Sequence, residues 1–202
     1  KTTTKTKIKK IKYQINIMKK IILIALIILL LILNITHKRY ISYCPTIPLY
    51  PDNKNESVLV KNSINLRTKE DVNFFYLTNE SVIHAFKPYV SESESYLKKK
   101  STEQNYIILF FKYLINRARP EQVDYSIKPI DTSTAQTPAF PAGHAYQAYY
   151  LEKHLSKKYP EKSNLFKKIA KECDLTRVKA GLHYPSDGNF SKHLVEFFNN
   201  LI

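Results

Sequence analysis

Residues 141–160 read PAGHAYQAYYLEKHLSKKYP, and within them Ala145, Ala148, Tyr149, Leu151, Leu155 and Tyr159 recur at the spacing of one helix face. Pro160 ends the run, because proline cannot continue a helix. Working outward, Asn164 to about Leu175 carries a second such pattern, with Leu165, Phe166, Ile169, Ala170 and Cys173 inward. Phe190 to Leu201 carries a third, with Phe190, Leu194, Phe197 or Phe198 and Leu201 inward. Upstream, Ser101-x-x-Gln104 has the form of a capping box. It opens an apolar stretch, Tyr106 to Ile115, that Pro120 stops. Pro120 to Pro141 holds four prolines and the polar run DTSTAQT, and reads as a loop or lid. From Glu56 onward there is little strand-like alternation and no internal repeat. The expected fold class is all-α, a compact helical bundle.

A chain of 202 residues with 44% hydrophobic content suits one domain with an ordinary core. The formal charge of +15 resembles that of a nucleic-acid binder, but eight lysines and no acid fall in residues 1–20. The remainder has a surplus of only seven positive charges and no recognition motif, so nucleic acid is not the expected partner. Cys44 and Cys173 show no metal-ligand spacing, and no metal is expected. Two readings of the pair stay open: one disulfide in an exported domain, or two buried thiols.

Met18, the only methionine, is followed by Lys19, Lys20 and an unbroken apolar run from Ile21 to Leu33. This basic lead and apolar body form one N-terminal hydrophobic helix of the signal type. The run is short against the ~20 residues of a spanning helix. No small-x-small cleavage site follows it, which favours an uncleaved single-pass anchor over a removed signal. The lysines then place the N-terminus in the cytoplasm and the rest of the chain on the non-cytoplasmic side. A buried core helix is the bland alternative. Sequons at Asn34, Asn55, Asn79 and Asn189 suit a secretory route, although an Asn-rich chain produces them by chance. The chain divides into a basic extension (1–17), the anchor or signal (18–37), a linker (38–55) leading into an N-terminal helical part up to residue 100, and a C-terminal helical part (101–202).

Three clusters carry the chemistry: KYLINRARP (112–120), PAGH (141–144) and RVKAGLHYPSD (177–187). Lys112 and Arg119 are seven apart, which puts both on one face if the helix runs through them, and two cations can grip a phosphate. Gly143 and His144 open a helix, where free N–H groups attract an oxyanion and the imidazole can protonate a leaving oxygen. Arg177 adds a third cation. His183 is the candidate nucleophile, activated if its second nitrogen donates to a carboxylate, for which Asp187 stands four residues on. Pro185 argues against a regular helix between them, so the contact is expected from a turn. Each cluster has a plainer reading: a solvated Lys/Arg face, a Pro-Gly turn with a surface histidine, and an Asp cap before the last helix.

Taken together and in order, the clusters resemble the motifs K-x6-RP, P-S-G-H and S-R-x5-H-x3-D of the type 2 phosphatidic acid phosphatase (PAP2) superfamily. Its members include class A acid phosphatases and vanadium haloperoxidases. The resemblance covers about Ser101 to Leu201. It implies a helical domain and metal-independent, cofactor-free hydrolysis of phosphomonoesters through a phosphohistidine, with vanadate as an inhibitor. By that resemblance His183 attacks, Asp187 orients it, His144 protonates the leaving group, and Lys112, Arg119, Arg177 and the Gly143 amide bind phosphate. Expected substrates are phosphorylated small molecules or lipid phosphates or diphosphates, and the membrane is the expected partner of the N-terminal segment.

Two positions depart from the motifs. Thr176 keeps a hydroxyl where the family has Ser, whereas Ala142 removes one hydrogen bond to a charged oxygen, worth ~1.5–3 kcal/mol. A weakened or retuned enzyme is therefore expected. A phosphate-binding membrane protein without turnover is the alternative, and a haloperoxidase a weaker one.

Overall fold

The structure, a computed structural model, describes residue 14, residues 17–18, residues 20–29 and residues 50–199. The chain divides into two units, Lys1–Arg39 and Tyr40–Ile202. In the first, residues 20–29 are helical. Among the described residues no helix is long and apolar enough to cross a membrane. Residues 30–37 of the expected anchor, most of the basic extension, residues 38–49 of the linker, Cys44 and Leu201 lie outside the described residues.

The second unit is all-helical among its described residues. Its helices are α1 (Asn53–Asn65), α2 (Lys69–Asn79), α3 (Ile83–Phe86), α4 (Glu94–Thr102), α5 (Asn105–Ile115), α6 (Pro120–Val123), α7 (Gly143–Lys158), α8 (Ser163–Lys179) and α9 (Pro185–Asn199). A 3₁₀ turn at Pro160–Lys162 joins α7 to α8. These two helices pair along their length, α9 lies against α7, and α2 lies against α8. The main core is built where the periodicity puts it: Ala145, Ala148, Leu151 and Leu155 of α7 and Phe166, Ala170 and Cys173 of α8 are buried together. Leu194 of α9 joins them, with Phe190 and Phe198 packed at the edge, while Phe197 is exposed. Cys173 is a free thiol, and burial pushes its pKa up.

Several boundaries differ from the sequence reading, each for a local reason. α1 begins inside the expected linker, because the Asp52 carboxylate accepts from the Lys54 and Asn55 amides and caps it there. Ser101 does not cap α5. It lies buried inside α4, where its hydroxyl bonds the Lys98 carbonyl, and Gln104 makes no side-chain cap. α5 ends at Ile115 because Asn116 turns left-handed at φ 53°, four residues before Pro120. Pro120 opens α6 instead of stopping α5. α8 runs on to Lys179, so Arg177 is helical, and Gly181 reverses the chain with φ +79°. α9 starts at Pro185, which makes Asp187 part of its first turn and not a residue ahead of it.

Candidate functional site

Residues from all three clusters converge on one cavity of about 170 Å³. Lys112 and Arg119, Gly143 and His144, and His183 line it, with Thr134 and Thr137 from the intervening loop and Asn105, Ile108, Leu109 and Gln147. Arg177 and Asp187 are not in this lining, but each bonds a residue that is, Thr134 and His183 respectively.

Lys112 and Arg119 do not share a helix face, since α5 has ended between them. Lys112 reaches the cavity from α5, and Arg119 from the extended residue that precedes α6. Each is fixed by backbone carbonyls. Lys112 Nζ donates to Pro138 and Ala139, while Arg119 donates through Nε to Thr137 (2.9 Å) and through Nη1 to Leu182 (2.7 Å). Arg177 donates to Asn79 Oδ1 (3.3 Å) and Thr134 Oγ1 (3.1 Å) and lies over the Phe75 ring. Its Nε is buried without a partner among the described residues. Lys112 and Arg177 are thus buried cations held by neutral acceptors. Burial, then the charge of Arg119, holds Lys112 well below the usual lysine range and pulls Arg177 down to about 9. An anion entering the cavity relieves both effects.

His183 and Asp187 are in contact, with Nδ1 3.0 Å from Oδ2. A carboxylate only accepts, so Nδ1 carries the proton and Nε2 keeps its lone pair. The contact spans the start of α9, where Asp187 Oδ2 also takes the Tyr184 amide proton (3.0 Å). Burial opposes the Asp187 charge, but Arg117, His183 and the Tyr184 amide together bring its pKa down to about 2. Burial holds His183 well below the usual imidazole range, against the hydrogen bond to Asp187 that pulls the other way, which favours the neutral form.

His144 points Nε2 at the Asn79 carbonyl, 2.8 Å away. A carbonyl only accepts, so Nε2 is the protonated nitrogen and Nδ1 is the one left to exchange a proton. Burial, then Arg177, with smaller contributions from Lys112 and Arg119, lowers its pKa to about 3 despite that carbonyl. At Gly143 an added Cβ would meet only Ile108 and Lys112 at 3.8 and 3.9 Å, an ordinary contact. Glycine here keeps the cavity floor open and does not avoid a clash. Ala142 is fully buried at the start of α7 and supplies no side-chain cap. The Thr176 hydroxyl is engaged elsewhere, donating to the Asp71 carbonyl (3.2 Å).

Four supporting residues escaped the sequence reading. Asn79 Oδ1 accepts from Thr132, Thr134 and Arg177, tying the loop to the Arg177 guanidinium. Arg117 bonds Asp187, Glu56 and Asn53. Arg117 was visible two residues before Arg119, as an extra cation in the first cluster. Asn53 and Glu56 carry no motif that could have marked them, and Asn79 was marked only as part of a sequon. Among the described residues no group of three or more His, Cys, Asp or Glu side chains is arranged to hold a metal ion. No protein-family model matches the chain, and a search of curated proteins returns no match.

Proposed function

We propose that this cavity hydrolyses phosphomonoesters through a phosphohistidine on His183, as the resemblance to the PAP2 superfamily implies. One observation carries the reading: a neutral histidine, its lone pair set by a buried aspartate, lines a cavity with Lys112 and Arg119, and neutral acceptors hold Lys112 and, through the cavity-lining Thr134, Arg177. A phosphate group supplies the missing negative charge, and Lys112, Arg119 and Arg177 with the Gly143 amide surround its oxygens. His183 Nε2 attacks phosphorus and the bond to the ester oxygen breaks. The bound anion raises the proton affinity of His144, which gives a proton to the departing oxygen. Water then attacks the phosphorus of the phosphohistidine and the P–N bond breaks. His144 takes the water's proton, and inorganic phosphate leaves. Positioning and charge neutralisation supply most of the acceleration.

Lipid phosphates and soluble phosphomonoesters both fit this chemistry. In this reading the apolar run Ile21–Leu33 attaches the chain to a membrane as a single-pass anchor, or directs its export, with the cavity on the non-cytoplasmic side. Ala142 favours a second reading, phosphate binding without turnover, because the buried methyl offers no donor. Release of a chromogenic alcohol from a phosphomonoester decides between the two. Hydrolysis that is inhibited by vanadate and abolished in His183→Ala supports the enzyme. Binding of phosphate with no hydrolysis of any ester in a broad panel supports the alternative.

A further inference from the structure

We infer that Arg117, held by Glu56, is the positioning residue of the His183–Asp187 pair, and that helix α1 thereby belongs to the working apparatus of the site.

The Arg117 side chain is wholly buried and its guanidinium lies between two aromatic rings, 3.9 Å from the centroids of both Tyr50 and Tyr184. In its own plane it makes bonds in three directions. Nη1 donates to Asp187 Oδ1 (2.6 Å) and Ser186 Oγ (2.7 Å), Nη2 to Glu56 Oε2 (2.7 Å), and Nε to Asn53 Oδ1 (2.9 Å). The rings fix the plane and the acceptors fix the rotation within it, which a guanidinium fork permits and a lysine ammonium does not. Glu56 also accepts from the Ser186 amide and hydroxyl, so one carboxylate on α1 holds both the guanidinium and the start of α9.

The consequence falls on Asp187. Its two oxygens have separate duties: Oδ1 faces Arg117, and Oδ2 faces His183 Nδ1 and the Tyr184 amide. Holding Oδ1 sets the twist of the carboxylate and directs Oδ2 at the imidazole. That contact keeps the proton on Nδ1 and the lone pair on Nε2. Arg117 does not line the cavity; its side chain reaches the reacting histidine through Asp187, with Ser186 and Tyr184 held beside it. Asn53 and Glu56 lie far upstream of the region that carries the motif resemblance.

The kinetic part of the test rests on the phosphatase reading, and the spectroscopic part does not. In the 202-residue chain, Arg117→Ala is expected to lower kcat about a hundredfold and leave inorganic phosphate inhibition within about twofold. Millimolar guanidinium, fitting between the two rings, should restore kcat at least about tenfold, where equal sodium chloride does not. The His183 Nδ1 proton should give a downfield resonance that disappears in Arg117→Ala and returns with guanidinium. Should Arg117→Ala not fold, Arg117→Lys and Glu56→Gln serve in its place, each with kcat lowered at unchanged phosphate inhibition. A folded variant with kcat within about threefold of the parent, or with phosphate affinity falling in step with kcat, overturns the inference. If the parent hydrolyses nothing, the phosphatase reading alone fails. The resonance then decides: its persistence in Arg117→Ala overturns the positioning role, and its loss with return on guanidinium supports it.

Discussion

The carboxylate of Asp174 occupies the space that a side chain on Gly188 would need: Oδ1 lies 1.8 Å from where a Cβ would stand. The first turn of α9, which carries Asp187, is thereby pressed onto α8. Gly188→Ala forces Asp174 or the turn itself to move, and overpacking of this kind costs roughly 1–3 kcal/mol. We expect a lower urea midpoint for Gly188→Ala and partial recovery in Gly188→Ala/Asp174→Ala. Additive losses in that double-mutant cycle would show that the two positions do not compete for one space.

Asp174 also gives stability a pH dependence. Burial pushes its pKa up to about 6, with Asp187 adding repulsion, although the Tyr149 hydroxyl donates to it (2.9 Å). With a folded pKa above the ordinary 3.8, the folded state holds the extra proton, so stability falls as pH rises from about 4 to about 6. Asp187 has the opposite sign. Its pKa of about 2 contributes stability that is present above 3.8 and lost as pH falls towards 2. Asp174→Asn should therefore stabilise the protein by roughly 1–3 kcal/mol at pH 7 and by much less at pH 4. Urea midpoints at the two pH values measure this, and an equal shift at both would refute it.

The helices that build the core were legible because burial on one face imposes a 3.6-residue period, as in α7 and α8. Their ends were not, because single residues decide them. Ser101 has the composition of a cap and is a buried helical residue, and Pro185 looks like a breaker and is the first residue of α9. Of the cavity residues, Lys112, Arg119, Gly143, His144 and His183 were legible because they stand in the three clusters, whereas Asn105, Thr134, Thr137 and Gln147 carried no such mark. The supports of the site were not legible either. Glu56, Asn53 and Asn79 reach the site from α1 and α2, more than fifty residues before the groups they hold, and nothing in a lone Glu or Asn announces such a partner.

Ala142 is the position at which a single hydroxyl should improve the site. It is buried at the start of α7, its amide donates to the Asp187 carbonyl (3.2 Å), and its carbonyl accepts from Ser191 (2.9 Å). Ala142→Ser adds a donor beside the Gly143 amide, where phosphate is expected. A hydrogen bond to a charged oxygen felt in the transition state should raise kcat about tenfold. The same hydroxyl can instead cap α7, which has no side-chain cap and would gain ~1 kcal/mol. Measuring kcat and the urea midpoint on one preparation separates the two effects. A higher midpoint with kcat unchanged would show that the hydroxyl serves the helix and not the phosphate.

Anion binding should draw a proton into the cavity. His144 has a pKa of about 3, set by burial and then by Arg177, Lys112 and Arg119. A dianion placed among those cations cancels their repulsion of an imidazolium, so the His144 pKa rises on binding. Protons are then bound by the complex and not by the free protein, which means uptake on binding and an affinity that falls as pH increases. Sulfate suits the measurement, because it stays a dianion across the range and adds no titration of its own. Calorimetric titration near pH 5, in buffers of different ionisation enthalpy, should show uptake approaching one proton per sulfate. His183 is the other imidazole in the cavity: its Nδ1 proton goes to Asp187 and its Nε2 lone pair is kept for attack on phosphorus, so the proposed acid role assigns the extra proton to His144. The uptake should therefore vanish in His144→Asn and persist in His183→Asn. Sulfate that binds without proton uptake, or uptake that survives His144→Asn, would remove His144 from the role of acid.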